Sequence, residues 1–406
     1  MGITKHDVKH RLNLGEVDAD ELLELLFHHV GDCEALDDRR LVLPRPASGP
    51  ALLVLHFTAS GRLADVEPGD ALTTQQLDEM EELVRRQLVT PPLPRVVRKV
   101  LFSTQPNDAY WRFEDRLVLR PLPEGNPTTP WPATTHPLIF ECAYLGPEDT
   151  KLCLSRGARI AEGWMSILGL VVEHLVLPTP GPVRGLWATA AFQRPGQSGH
   201  PSSEWVHNHF WPDDWGGAPN RLCEQGKLGG IPVTDQHTGF ARCESSLHLP
   251  TCLPHCLRAF DDLDVIDRRS FLRAAHWFHH AAHVRELSAS AAYTAAVQSI
   301  EVLVDGQGES TTSAFRAFVD LYAPATNDAM YRMHQSLYRI RSQISHGVRL
   351  FVSDLEIHGM PSPQRWHEEQ LLDHATAVCR AAILNWLLSR TATSTRGRTW
   401  SHTDSN

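Results

Sequence analysis

One stretch near the C-terminus carries residue types that can cleave RNA without a metal: Leu337-Tyr338-Arg339-Ile340-Arg341-Ser342-Gln343-Ile344-Ser345-His346-Gly347. An arginine holds a phosphate and stabilises charge that develops on it, and an imidazole moves a proton at neutral pH. Arg341 and His346 would divide that work, with His346 as general acid or base. The ribose 2′-OH would attack the adjacent phosphate, leaving a 2′,3′-cyclic phosphate and a 5′-OH. The spacing alone is common. Its plain alternative is a histidine capping a helix end behind a solvated arginine face.

Five residues of α-helix turn through about 500°, so Arg341 and His346 sit about 140° out of phase and cannot stack on one face. They can flank one seam. Pairing two such helices about a two-fold axis would bring two arginines and two histidines together, which points to a composite site in a homodimer. Arg339, seven residues before His346, is almost in phase with it and is a second candidate phosphate contact. Tyr338 can pack the helix or touch RNA, and Ser342 is a further candidate RNA contact. Glu301, between apolar Ile300 and Val302, can orient Arg341 or His346, or serve as a structural ion-pair partner.

The elements that must hold these residues read clearly. Asn327 is placed to cap the helix carrying the pair, and Gly347 to end it at the position after the C-cap. One apolar stripe runs through Phe271, Ala274, Ala275, Phe278, Ala281 and Ala282, a second through Tyr293, Ala296, Val297, Ile300, Leu303 and Val304. A third runs from Leu371 to Leu387 behind Ser362-Pro363, a cap followed by proline at the first helical position. With a helix over 313–322, these predict a four- to five-helix bundle over 253–392.

This C-terminal third resembles the ApeA-like branch of the HEPN superfamily, whose members carry an Arg-x4–6-His signature and are often ribonucleases. The resemblance begins at Asp264-Val265-Ile266-Asp267-Arg268-Arg269-Ser270-Phe271-Leu272-Arg273-Ala274-Ala275-His276-Trp277-Phe278. It continues through Tyr293 to Leu303, with the acidic Glu301 before the end of the second helix, and culminates in the run from Tyr338 to Gly347. It implies an all-α HEPN bundle, a catalytic Arg341 and His346 at a homodimer interface, and no cofactor. It also implies a role in toxin–antitoxin or anti-phage defence, by cutting tRNA or other RNA, with an antitoxin or a phage-derived trigger as possible partner. The runner-up is a HEPN module without chemistry that binds nucleotide, RNA or a partner protein.

Ahead of the bundle the pattern changes. A short helix is expected over 20–30 and an amphipathic one over 74–89. Strands are expected over 51–57, 96–103, 110–119, 138–144 and 186–192, with a helix over 158–172. That makes residues 1–194 an α+β regulatory or sensing region. Residues 195–252, rich in Gly, Pro, Trp and His, read as an irregular linker, and 393–406 as a disordered tail.

The net charge of −10 argues against broad, sequence-independent nucleic-acid binding but leaves room for a small cationic cleft. Residues 253–392 carry thirteen arginines, no lysine and fifteen acids, so most of the acidity lies before them. Eight cysteines over 406 residues are not a disulfide framework and read as reduced thiols. The polar start and the absence of a long apolar run predict a cytoplasmic protein with no membrane span. His237, Cys243, His248, Cys252, His255 and Cys256 form a weak zinc candidate with one tight pair, Cys252-x3-Cys256, so no metal is assigned. His207 and His209, among Trp205, Trp211 and Trp215, read as a packed aromatic loop, or as ligands or a base-stacking surface. There is no phosphate-binding glycine loop and no nucleophile elbow, which disfavours P-loop, Rossmann and serine-hydrolase chemistry.

Overall fold

A computed structural model describes residues 3–31, 33–44, 50–59, 61–90, 92–122, 136–173, 175–177, 179–180, 186–190, 203–207, 220–234, 246–285, 287–304, 311–355 and 362–390. The chain forms two compact units. The first comprises Met1–Val97, Cys142–Ile160 and 218–222, and the second the remainder.

In the first unit, α1 (Lys5–Arg11) opens with a reciprocal capping box in which Thr4 and Asp7 each bond the other's backbone N–H. Helix α2 (Ala19–Val30) is capped by Asp18, whose carboxylate accepts from two backbone N–H groups of the first turn. Strands β1 (Glu34–Ala35), β2 (Arg40–Leu43), β3 (Leu53–Phe57) and β4 (Leu63–Pro68) form an antiparallel meander in sequence order. Leu43 faces Leu53, and Leu55 faces Val66, so one face of the sheet is apolar. Val8, Leu12, Leu22, Leu25 and Leu26 join that face together with Leu77, Met80 and Val84 of α3 (Thr74–Val84). Each such side chain contributes about 1.5–3 kcal/mol by leaving water. The expected helix over 74–89 is one element whose last turn, Arg85–Val89, widens to a π-helix.

The longer strands β5 (Leu93–Ser103) and β8 (His136–Gly146) come next, and α4 (Thr150–Val171) follows β8. Where one strand is expected over 110–119, the chain makes a hairpin, β6 (Trp111–Phe113) and β7 (Leu117–Pro121). Glu114 turns the corner at φ 50°. With β9 (Leu175–Val176) these give a five-stranded sheet ordered β6-β7-β8-β5-β9. Inside it Glu141 is fully buried. Its Oε1 accepts from Arg98 Nε and Arg120 Nη2, each at 2.9 Å, and its Oε2 from the Cys223 N–H at 2.6 Å. Two guanidiniums and a backbone donor offset the cost of burying that carboxylate. Short strands β10 (Thr179–Pro180), β11 (Leu186–Ala190) and β12 (Ser203–His207) pair in order, and β13 (Val233–Thr234) runs parallel to β14 (Leu249–Pro250). Thus 195–252, expected to be irregular, contains paired strands.

After α4 the helices of the second unit are α5 (Leu253–Asp261), α6 (Val265–Val284), α7 (Ala289–Glu301), α8 (Thr311–Tyr322), α9 (Asp328–Ser345), the one-turn α10 (Val352–Leu355) and α11 (Pro363–Arg390). The three apolar stripes become the buried faces of α6, α7 and α11. Among the described residues of 253–392 there are six helices longer than one turn, where four or five are expected. The domain division also differs from a boundary at 194 and 253, because residues 98–141 and 161–217 belong to the same unit as the helices. A line of buried rings gives the reason. Phe113 of β6 packs on Trp164 of α4 at 6.3 Å, Trp164 on Phe260 of α5 at 5.3 Å, and Phe260 on Phe271 of α6 at 5.3 Å. No described helix is long and apolar enough to cross a membrane, and the seven described cysteines are free thiols.

Candidate functional site

Helix α9 starts where expected: the Asn327 side chain accepts from the Met330 N–H at 2.9 Å. Met330, His334, Leu337 and Ile340 form its buried face. At the far end His346 is the C-cap, its N–H donating to the Ser342 carbonyl at 3.0 Å. Gly347 follows at φ +69° and donates to Ile344 O at 2.9 Å, while Val348 donates to Gln343 O at 2.9 Å. This pair of bonds is a Schellman stop, which needs the left-handed backbone that glycine adopts without strain. His346 therefore projects from a well-defined helix end, and it is exposed.

The helix separates the two arginines. Arg339 is exposed, as is His346 seven residues later in nearly the same phase. Arg341 is half-buried and donates through Nη2 to Glu301 Oε2 at 2.7 Å, linking α9 to the last turn of α7. Burial of the Glu301 carboxyl outweighs the attraction of Arg341 and raises it above the ordinary carboxylate range. Glu301 Oε1 and Arg341 Nε are buried and make no hydrogen bond in the pair. Of the sequence-chosen residues, the fold thus joins Arg341 to Glu301, and shares one exposed helix face between Arg339 and His346. Tyr338 is half-buried with its ring against Phe315 of α8 at 5.4 Å. Ser342 is half-buried, and its carbonyl holds the His346 N–H.

Asp354, Ser290 and Glu368 escaped the sequence reading. After His346 the chain is tied back to α7 and α11. Asp354 accepts from the N–H groups of Ala289 at 2.8 Å and Ser290 at 2.9 Å, giving the positive start of α7 a carboxylate. Phe351 N–H donates to Ser290 Oγ at 2.8 Å, and Val352 N–H to Glu368 Oε2 at 2.6 Å. Arg349 stacks over Phe351 at 5.5 Å, and its nearest carboxylate is Glu368 at 3.9 Å. Glu368 did leave a signal, since it lies three residues before Leu371 on the buried stripe of α11. Asp354 left none, because a cap supplied from a distant segment has no sequence spacing.

Among the described residues no three His, Cys, Asp or Glu side chains are grouped to hold a metal. His237, Cys243, His209, Trp211 and Trp215 lie outside the described residues. Cys252 and Cys256 share a hydrogen bond between their thiols, which together with burial pushes the Cys256 thiol well up. His248 turns its Nδ1 to the Ser246 carbonyl at 2.6 Å. No family model, curated protein or solved structure matches this chain.

Proposed function

We propose that this protein is a metal-independent endoribonuclease of the HEPN type. The observation that carries the reading is the end of α9, where an exposed His346 is fixed by a Schellman stop and shares its face with exposed Arg339. One turn earlier Glu301 clamps Arg341. In the reaction the ribose 2′-oxygen bonds to phosphorus and the P–O5′ bond breaks. One imidazole accepts the 2′-OH proton and another protonates the leaving 5′-oxygen, while the arginines stabilise the charge on the phosphorane. Each chain brings one His346, so both proton roles are filled when two chains pair. Val348, Leu350, Leu355 and Trp366, each exposed on the segments that follow the motif, are the apolar side chains that such pairing would cover. RNA, with tRNA as the first choice, is the substrate. The first unit is the natural restraint or receiver of an antitoxin or phage-derived trigger in a cytoplasmic defence response.

The alternative is a HEPN module that binds RNA, nucleotide or a protein without cutting. It draws on one observation: Arg341 already spends Nη2 on Glu301, as a structural arginine would.

The deciding experiment incubates wild type and His346→Ala with total tRNA in EDTA. Cleavage by the wild type alone, leaving cyclic phosphate ends and falling at least about a hundredfold in the variant, supports the enzyme. RNA retained by both proteins without cleavage supports the binding module. Equal cleavage by both removes His346 from the chemistry.

A further inference from the structure

The second unit carries a pair of imidazoles that the proposed reaction does not use. His276 and His280 sit one turn apart on α6, both exposed, with ring centres 6.4 Å apart and planes within 5° of parallel. Residues four apart on a helix have Cβ atoms about 5–6 Å apart, which lets two histidines reach one ion. Trp277 lies beside both rings. Its ring meets His276 edge-on at 6.0 Å and His280 at 5.8 Å, so one indole braces both imidazoles.

We propose that His276 and His280 form a two-histidine site for a divalent transition-metal ion of the zinc–copper group, with Trp277 as the positioning residue. The remaining coordination positions fall to water. Two imidazoles bound tetrahedrally at about 2.1 Å have centres roughly 5.3 Å apart, so the stacked rings must each turn a nitrogen towards the ion and close by about 1 Å. His283, one turn further along, is no third ligand. Its two ring nitrogens already face the carbonyls of His279 at 2.8 Å and Leu177 at 2.9 Å. Soft cysteine ligands are absent from this pair, so imidazole-preferring ions are the class to test.

The molecule contains its own comparison. His6 and His10 on α1 are also one turn apart, with centres 6.4 Å apart, and no indole braces them in the described contacts. A braced pair loses less rotamer freedom on closing and should bind more tightly. The test titrates the full chain with copper(II) chloride at pH 7.5 and reads tryptophan quenching, then repeats it with zinc chloride as competitor. The share of emission quenched at low copper should vanish in Trp277→Phe. Its midpoint should rise at least about tenfold in His276→Gln and in His280→Gln, and stay put in the His6→Gln/His10→Gln double variant. All four histidines are exposed, and circular dichroism confirms that the variants fold. Quenching equal in wild type and Trp277→Phe, or midpoints unmoved by His276→Gln and His280→Gln, would overturn the site. Copper binding lost only in the double variant would move it to α1.

Discussion

His279 is a half-buried imidazole whose Nε2 faces the Ser166 carbonyl at 2.9 Å, and desolvation pushes it down to about 4. An ordinary histidine in the unfolded chain titrates near 6.5, so between pH 6.5 and 4 the unfolded state takes up a proton that the folded state refuses. Stability from this residue is therefore complete above pH 6.5 and lost as pH falls towards 4, by about 3 kcal/mol at the limit. Denaturant unfolding of wild type and His279→Asn at pH 7 and pH 4.5 checks this. The variant should show a smaller loss on acidification, and parallel losses would refute the assignment. Glu301 works in the opposite sense, because its raised carboxyl makes its contribution fall as pH rises through the folded value. Replacing Arg341 by Ala would leave that carboxylate half-buried without its cation. A loss of about 1–3 kcal/mol at pH 7, smaller at pH 4 where Glu301 is protonated, is the expected result of the same assay.

Helix α4 approaches α6 and the residue after β9 closely enough that no side chain fits at Gly169 without a shift. A Cβ there would stand 2.8 Å from His279 Cε1 and 3.2 Å from Leu177 Cγ. Alanine is the better helix former by about 1 kcal/mol, yet His279 is pinned by Ser166 and cannot step aside. Gly169→Ala should therefore destabilise the protein by about 1–3 kcal/mol, seen as a lower urea midpoint. A midpoint that rises would mean that the close approach yields easily. Elements of this kind were legible where periodicity was strong. The faces of α6, α7 and α11, the Asn327 cap and the Gly347 stop follow from residue type and spacing. The strand expected over 110–119 became a hairpin because Glu114 adopts a left-handed conformation that residue type does not announce. Helix α4 starts eight residues before the expected position, since Thr150 to Gly157 lack a clean apolar period.

For the whole molecule, the proposed chemistry requires two copies. The 45.4 kDa chain should run in light scattering as a species of about twice that mass. Trp366→Glu and Leu355→Glu, both at exposed apolar residues, should yield monomers that remain folded. Those monomers should lose RNA cleavage in parallel. A wild type that is monomeric yet cleaves would place both proton transfers within one chain. Cleavage that survives in monomeric variants would do the same.

Sequence by itself determined the helical character of the last third, the start and stop of α9, and the in-phase exposure of Arg339 and His346. Each of these depends on local periodicity and on backbone preferences of single residues. Only the tertiary structure decided that Arg341 meets Glu301 forty residues away, and that Asp354 and Glu368 tie down the turn after His346. Only it put residues 98–141 and the helices into one unit, through the Phe113–Trp164–Phe260–Phe271 line of rings. Contacts between distant segments depend on which faces remain to be buried after the local elements have formed, and no spacing within one segment records that choice.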